Sequence, residues 1–265
     1  MPYRVPYRVV KEAEPQFKLL LVATVVSIAL WIISWYLPMV GLVVYPLQLF
    51  ATFIHEGAHV LATLLTGNSV QSLTVSSDGS GAVWSQGAGA LSQLLISSAG
   101  YLGTTLYGAG LLAWMRFGYS SKVALYISAG FVIAMSVVFG LLAPFFSFFS
   151  TVTLGSVFFT VFAGFVLAAL LSAVAHFAST KWANFALAFL AVQCLLNAVF
   201  SLVDLLFITA MTSGHSDAVN MSAATGIPAI VWVLIWFGIS ILLISAGLRI
   251  YSVSKRSKAD TVFED

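Results

Sequence analysis

Long, nearly unbroken apolar runs separated by short polar or glycine-containing breaks set the pattern of this chain. Seven of them, Leu19–Leu37, Val40–Thr66, Leu91–Met115, Val123–Leu142, Val152–Ala175, Trp182–Ala210 and Ile227–Ile250, are each long enough to cross the hydrocarbon of a bilayer as a helix. The fourth and fifth read as broken around Pro144, and Pro228 opens the last, consistent with proline at a helix start. Between the second and third runs, Gly67–Gln86 is too polar to span. Its β-prone pieces Val70–Val75 and Ala82–Trp84 flank Ser76-Ser77-Asp78-Gly79-Ser80-Gly81, which predicts a β-hairpin. The polar stretch Thr212–Ser222 reads as a connection before the last run. The pattern predicts an all-α integral membrane protein, a polytopic bundle of about seven transmembrane helices with a short β-hairpin after the second. Three regions follow: a polar basic segment at 1–18, one transmembrane domain at 19–250 with its hairpin at 67–86, and a polar tail at 251–265.

Composition settles the solvent. Hydrophobic residues make up 60% and charged residues 8%, with a mean hydropathy of +1.03. That leaves too little polar surface for a water-soluble globule, so the partner is the lipid bilayer. A multi-pass protein of a plasma or bacterial inner membrane is expected. The net charge of +2 gives no ground for a nucleic-acid partner. Arg4, Arg8, Lys11 and Lys18 near one end, and Arg249, Lys255, Arg256 and Lys258 near the other, suit anionic head groups. The first eighteen residues are too polar for a cleavable signal, so Leu19–Leu37 is expected to stay as a span. Seven crossings would place the two basic ends on opposite sides, against the tendency of Lys and Arg to remain cytoplasmic. The single cysteine, Cys194, excludes an internal disulfide framework and a cysteine-ligated zinc site; its apolar run makes it a core residue.

Chemistry is concentrated in His55-Glu56-Gly57-Ala58-His59. On a helix, histidines four residues apart project from one face and can share a zinc ion. Glu56 projects beside them as a candidate general base. A catalytic zinc takes a third protein ligand, and the chain offers few. Asp204, a lone carboxylate in an apolar helix, needs a metal, a proton or a cation. It shares an end with His55 and His59 if four crossings separate their spans. Asp217, in the polar connection, is the reserve ligand, although a solvated residue or helix cap is the default there. His215 is a weaker alternative. His176, near Lys181, is explained by a membrane interface.

These residues resemble the site-2 protease class of intramembrane zinc metalloproteases. In that class an H-E-x-x-H helix supplies two ligands and the catalytic glutamate, matched here by His55, Glu56 and His59. A later span carries Asn-x-x-Pro-x-x-x-Leu-Asp-Gly. This chain offers Asn197 and Asp204, one residue closer together, with Phe200 for proline, Val203 for leucine and Leu205 for glycine. Ser97–Gly103 is similar to the glycine-containing segment that follows the membrane-dipping strands of the class. The departures resemble the divergent bacterial and plant branch, whose aspartate motif is degenerate. The resemblance implies one Zn²⁺ per chain on His55, His59 and Asp204, Glu56 as proton carrier, Asn197 as hydrogen-bond donor to the oxyanion or substrate, and a transmembrane protein as substrate. The hairpin reads equally as an exposed edge for an unwound substrate or as a plain loop. Ser72–Ser85, Ser97 and Ser98 read either as a water path or as small polar residues at helix contacts. Two rival functions stand beside this one: a proteolytically inactive scaffold of the same class, opposed by the intact Glu56, and a metal or solute transporter. The second lacks the distributed polar path or internal repeat that transport needs.

Overall fold

A computed structural model describes residues 14–87, 89–211 and 216–252. Every predicted span is found as a helix: α1 (Glu14–Tyr36), α2 (Pro38–Leu65), α3 (Ala90–Arg116), α4 (Ser121–Ala134) continuing through a π-helical segment (Met135–Leu142) into α5 (Ala143–Phe146), α6 (Leu154–Phe177), α7 (Thr180–Met211) and α9 (Ala229–Ser252). The short α8 (Asp217–Thr225) precedes α9. Five of these segments are long and apolar enough to cross a membrane: Met39–Leu65, Ser121–Phe146, Leu154–Phe177, Thr180–Met211 and Ala229–Ser252. α1 carries only a shorter apolar stretch, Lys18–Ser34. α3 is not among the five because serine, glycine and threonine occupy its packing face.

That composition makes α3 the hub of the bundle, packed against α2, α7 and α9. Side chains at Gly103, Gly108 and Gly247 would collide with Ala58, Leu195 and Ala109 respectively, so small residues set the close approach of the helices. The main core runs through α2, α3, α4, α6 and α7 around Phe50, Phe53, Leu112, Leu125 and Leu187, and takes in Cys194. A second, smaller core gathers Tyr101, Leu202, Leu205, Ala218, Met221 and Trp236 around α8.

Two sequence expectations change. The break between the fourth and fifth runs is not at Pro144. That proline follows directly on the π-helical segment, in the first turn of α5, and the chain turns at Phe148 and Phe149, both with φ near +50° (52° and 53°). The polar connection Thr212–Ser222 also contains most of α8. Ser216 caps α8 by accepting from the Val219 N–H at 3.3 Å, and Gly226 ends it in the left-handed region at φ 73°.

The predicted hairpin is present as β1 (Ser69–Val75) and β2 (Gly81–Gln86), antiparallel, with a register shift between Val70 and Ser72. β1 is buried toward its end. Thr160 of α6 accepts from the Val75 N–H at 2.8 Å and donates to the Val75 carbonyl at 3.2 Å. β2 is largely exposed. Tyr45 donates to the Ser77 carbonyl at 2.7 Å, and Thr52 to the Gly79 carbonyl at 2.7 Å. The hairpin therefore lies along α2.

Candidate metal centre

The helical spacing of α2 puts both imidazoles on one face, with their Nε2 atoms 3.1 Å apart. His59 is buried, and its Nδ1 lies 2.7 Å from the Ile96 carbonyl on α3. A carbonyl only accepts, so Nδ1 carries the proton and the Nε2 lone pair is left for a ligand. The His55 ring stands edge-on to Tyr101, with centroids 4.7 Å apart, and Tyr101 stacks on Trp236 at 5.5 Å. Two aromatic residues of the second core thus fix the His55 ring.

Asp217 completes the group. Its Oδ2 lies 3.3 Å from His59 Nε2 and 3.6 Å from His55 Nε2. Burial opposes its charge, but His59 and His55 beside it hold the carboxyl well below the usual carboxylate range. Among the described residues, His55, His59 and Asp217 form one group whose ligand atoms all lie within 4.8 Å of one another. Asp204 is not brought to the histidines. It lies on an exposed face of α7, outside the group of ligand-type atoms formed by His55, His59 and Asp217. His215 lies outside the described residues. His176 is at the opposite end of the bundle, with Nδ1 3.5 Å from the Tyr126 hydroxyl.

The three ligand atoms fit zinc by type, two imidazole nitrogens and one carboxylate oxygen. The backbone also makes room for it. A Cβ at Gly100 of α3 would collide with the Nε2 atoms of both histidines. Glu56 is buried yet borders the same cavity. Gly81 of β2 lies so close that a Cβ there would stand 2.5 Å from Glu56 Oε1. The cavity, about 970 Å³, is lined also by Gln48, Thr52, Gln93, Asn197, Ser201 and Asn220. Asn197 thus lines the cavity that the histidines and Glu56 also line. Ser98 accepts from Trp236 Nε1 of α9 at 3.0 Å and so acts at a helix contact, whereas the buried Ser97 accepts from Gln93 one turn earlier on α3. The roles of Tyr101, Gly81 and the Ile96 carbonyl carry no motif and were not foreseen. Only the glycine-containing segment around Gly100 gave a partial signal.

The bundle thus brings together a His-His-Asp group that could hold a metal ion and, one residue from His55 on α2, the buried Glu56. The chain belongs to the Peptidase M50B-like family, which matches it over residues 20–247. The family is site-2 protease-like, and membership makes this an integral membrane protein of metallopeptidase type. No curated protein and no solved structure matches the chain.

Proposed function

We propose that the chain is an intramembrane zinc metalloprotease that hydrolyses peptide bonds in or near transmembrane segments of membrane-protein substrates. One observation carries this reading: the ligand atoms of His55, His59 and Asp217 converge within 4.8 Å beside the buried Glu56. Zinc, one ion per chain, held by those three atoms supplies Lewis acidity toward a water and the scissile carbonyl. Glu56 takes the proton from the attacking water and passes it to the leaving amine nitrogen. The Ile96 carbonyl keeps His59 in the tautomer that presents Nε2. The Asn197 amide is suited to donate to the oxygen that gains charge. Polar residues along the cavity, which α2, the hairpin, α3, α7 and α8 line, admit water, and α1 and α3 bring the membrane bundle to about seven helices.

A transmembrane helix hides its peptide bonds in internal hydrogen bonds, so it must unwind before cleavage. β1 has its far side engaged by Thr160, whereas β2 lines the cavity through Gly81, Val83 and Ser85. β2 is therefore the edge to which an unwound substrate would add as a strand, exchanging its helical bonds for new ones.

Zinc content and cleavage test the reading together. Purified wild type is expected to hold about one zinc, lost in His59→Ala and Asp217→Ala but kept in Asp204→Ala and Glu56→Gln. Cleavage of a membrane-protein substrate in Glu56→Gln should fall by roughly 10²–10⁴-fold. Folded wild type without zinc overturns the proposal. Zinc without Glu56-dependent cleavage moves the chain to the inactive-scaffold reading.

A further inference from the structure

α6 leans on α4 and meets α2 and α7 only lightly. Pro46 of α2 and Ala186 of α7 present little side chain toward it, and a cleft of about 170 Å³ is left between α2, α4, α6 and α7. The floor of the cleft is buried, made by Phe50, Leu125, Leu167 and Leu190. Leu170 stands at its lip, 49% exposed. Every lining residue is apolar, so water finds no hydrogen-bond partner there. On α6 the lining runs from Leu167 to Val174, about 10 Å of helix rise.

One end of the cleft reaches the ends of three helices. Lys122 lies in the first turn of α4, one turn before Leu125 and on the same side. Val174 is one turn from the end of α6 at Phe177. Trp182, near the start of α7, shares a helical stripe with Ala186 and Phe189, and Lys181 precedes it. The Tyr126 hydroxyl lies 3.5 Å from His176 Nδ1, so the tips of α4 and α6 meet. Lys181 and Trp182 are exposed, and Lys122 is half-buried. Among the described residues neither lysine has a carboxylate partner. Tyrosine and tryptophan sit at head-group level in a bilayer, and a lysine there extends its ammonium to lipid phosphate.

We propose that the cleft is a binding site for an anionic glycerophospholipid of the surrounding bilayer. One acyl chain lies along Phe50, Leu125 and Leu167, and the head-group phosphate sits between Lys122 and Lys181. A chain filling the cleft restores the dispersion contacts that its walls otherwise lack. Hydrocarbon alone does not distinguish one lipid from another; the two lysines do. A transmembrane helix, about 10 Å or more across with its side chains, is too broad for a cleft of this volume. The cleft shares no lining residue with the cavity beside Glu56, so the lipid site stands apart from the metal centre and does not rest on proteolysis.

Delipidated full-length protein in detergent is titrated with phosphatidylglycerol and with phosphatidylcholine of the same acyl chains, and bound lipid is counted by native mass spectrometry. One phosphatidylglycerol should bind with a Kd roughly 10–30-fold below that of phosphatidylcholine. Lys122→Gln with Lys181→Gln should erase that preference and leave the zinc content unchanged. Arg249→Gln, on a helix that does not line the cleft, should keep the preference. Leu170→Trp adds bulk at the exposed lip, where the fold is not at risk, and should weaken both lipids. Equal binding of the two lipids, or a preference that survives in the double lysine variant or is lost as fully in Arg249→Gln, overturns the proposal. Full binding in Leu170→Trp, or a chain that takes up no lipid and pairs with a second copy instead, overturns it as well.

Discussion

Gly100 and Gly81 each leave a hydrogen where any other residue would put a carbon against the reacting groups. A Cβ at Gly100 meets the Nε2 atoms of both His55 and His59. Those imidazoles are fixed by the Ile96 carbonyl and by Tyr101, so they cannot retreat without loss of geometry. Gly100→Ala should lower zinc affinity by roughly 10–100-fold, measured by chelator competition, with the helical circular dichroism unchanged. At Gly81 the new carbon meets the Glu56 side chain from Cγ to its carboxylate, which must shift to make room. Gly81→Ala should therefore keep its zinc and lose cleavage, and zinc loss there would contradict the argument. The sequence made His55, Glu56 and His59 legible because a helical repeat of four is local. The third member of the group was not local. Asp204 drew attention as a charge in an apolar helix, yet it stands on an exposed part of α7 outside the group that His55, His59 and Asp217 form. Asp217 looked like a solvated cap because its burial depends on where α8 folds.

The short α8 and the hairpin carry that difference upward from residue to element. The signals for α8 were present in the sequence: Ser216 before Asp217, an apolar pair at Ala218 and Met221, then Gly226 and Pro228. They describe a capped helix of nine residues, with the acidic Asp217 in the first turn, where the helix dipole favours it. A polar average over Thr212–Ser222 hid them. The hairpin was legible from alternation and turn residues, but its attachment was not, since Thr160 lies 85 positions away from Val75. Thr160 answers both backbone groups of Val75. Thr160→Val keeps the shape and leaves the buried N–H without its acceptor, at a cost of about 1–3 kcal/mol. Hydrogen exchange across 69–86 should accelerate while α3 stays protected; equal exchange in the variant and wild type would show that the hairpin does not depend on this clamp.

For the whole molecule, hydropathy gave the helices and missed the reason α3 is polar. A helix enclosed by α2, α7 and α9 needs small residues more than apolar ones. The same enclosure divides the interior into a main core and a smaller one around α8. His55 and His59 stand on α2 beside Ile54 and Val60 of the main core, whereas Asp217 adjoins Ala218 of the smaller one. A metal shared by the three ties the two cores together, so it should stabilise the assembly and not merely equip it for chemistry. A ligand that binds only the folded state at about 100 times its Kd adds about 2.7 kcal/mol. For a chain of this size that corresponds to a rise of roughly 5–10 °C in melting temperature. Chelator-treated protein titrated with zinc in detergent should show that rise, and Asp217→Ala should not. Asp204→Ala should keep it in full, because Asp204 stands outside the group that spans the two cores. If Asp217→Ala retains the whole zinc-dependent rise, the histidines bind zinc without bridging the cores, and α8 is held by its apolar contacts alone.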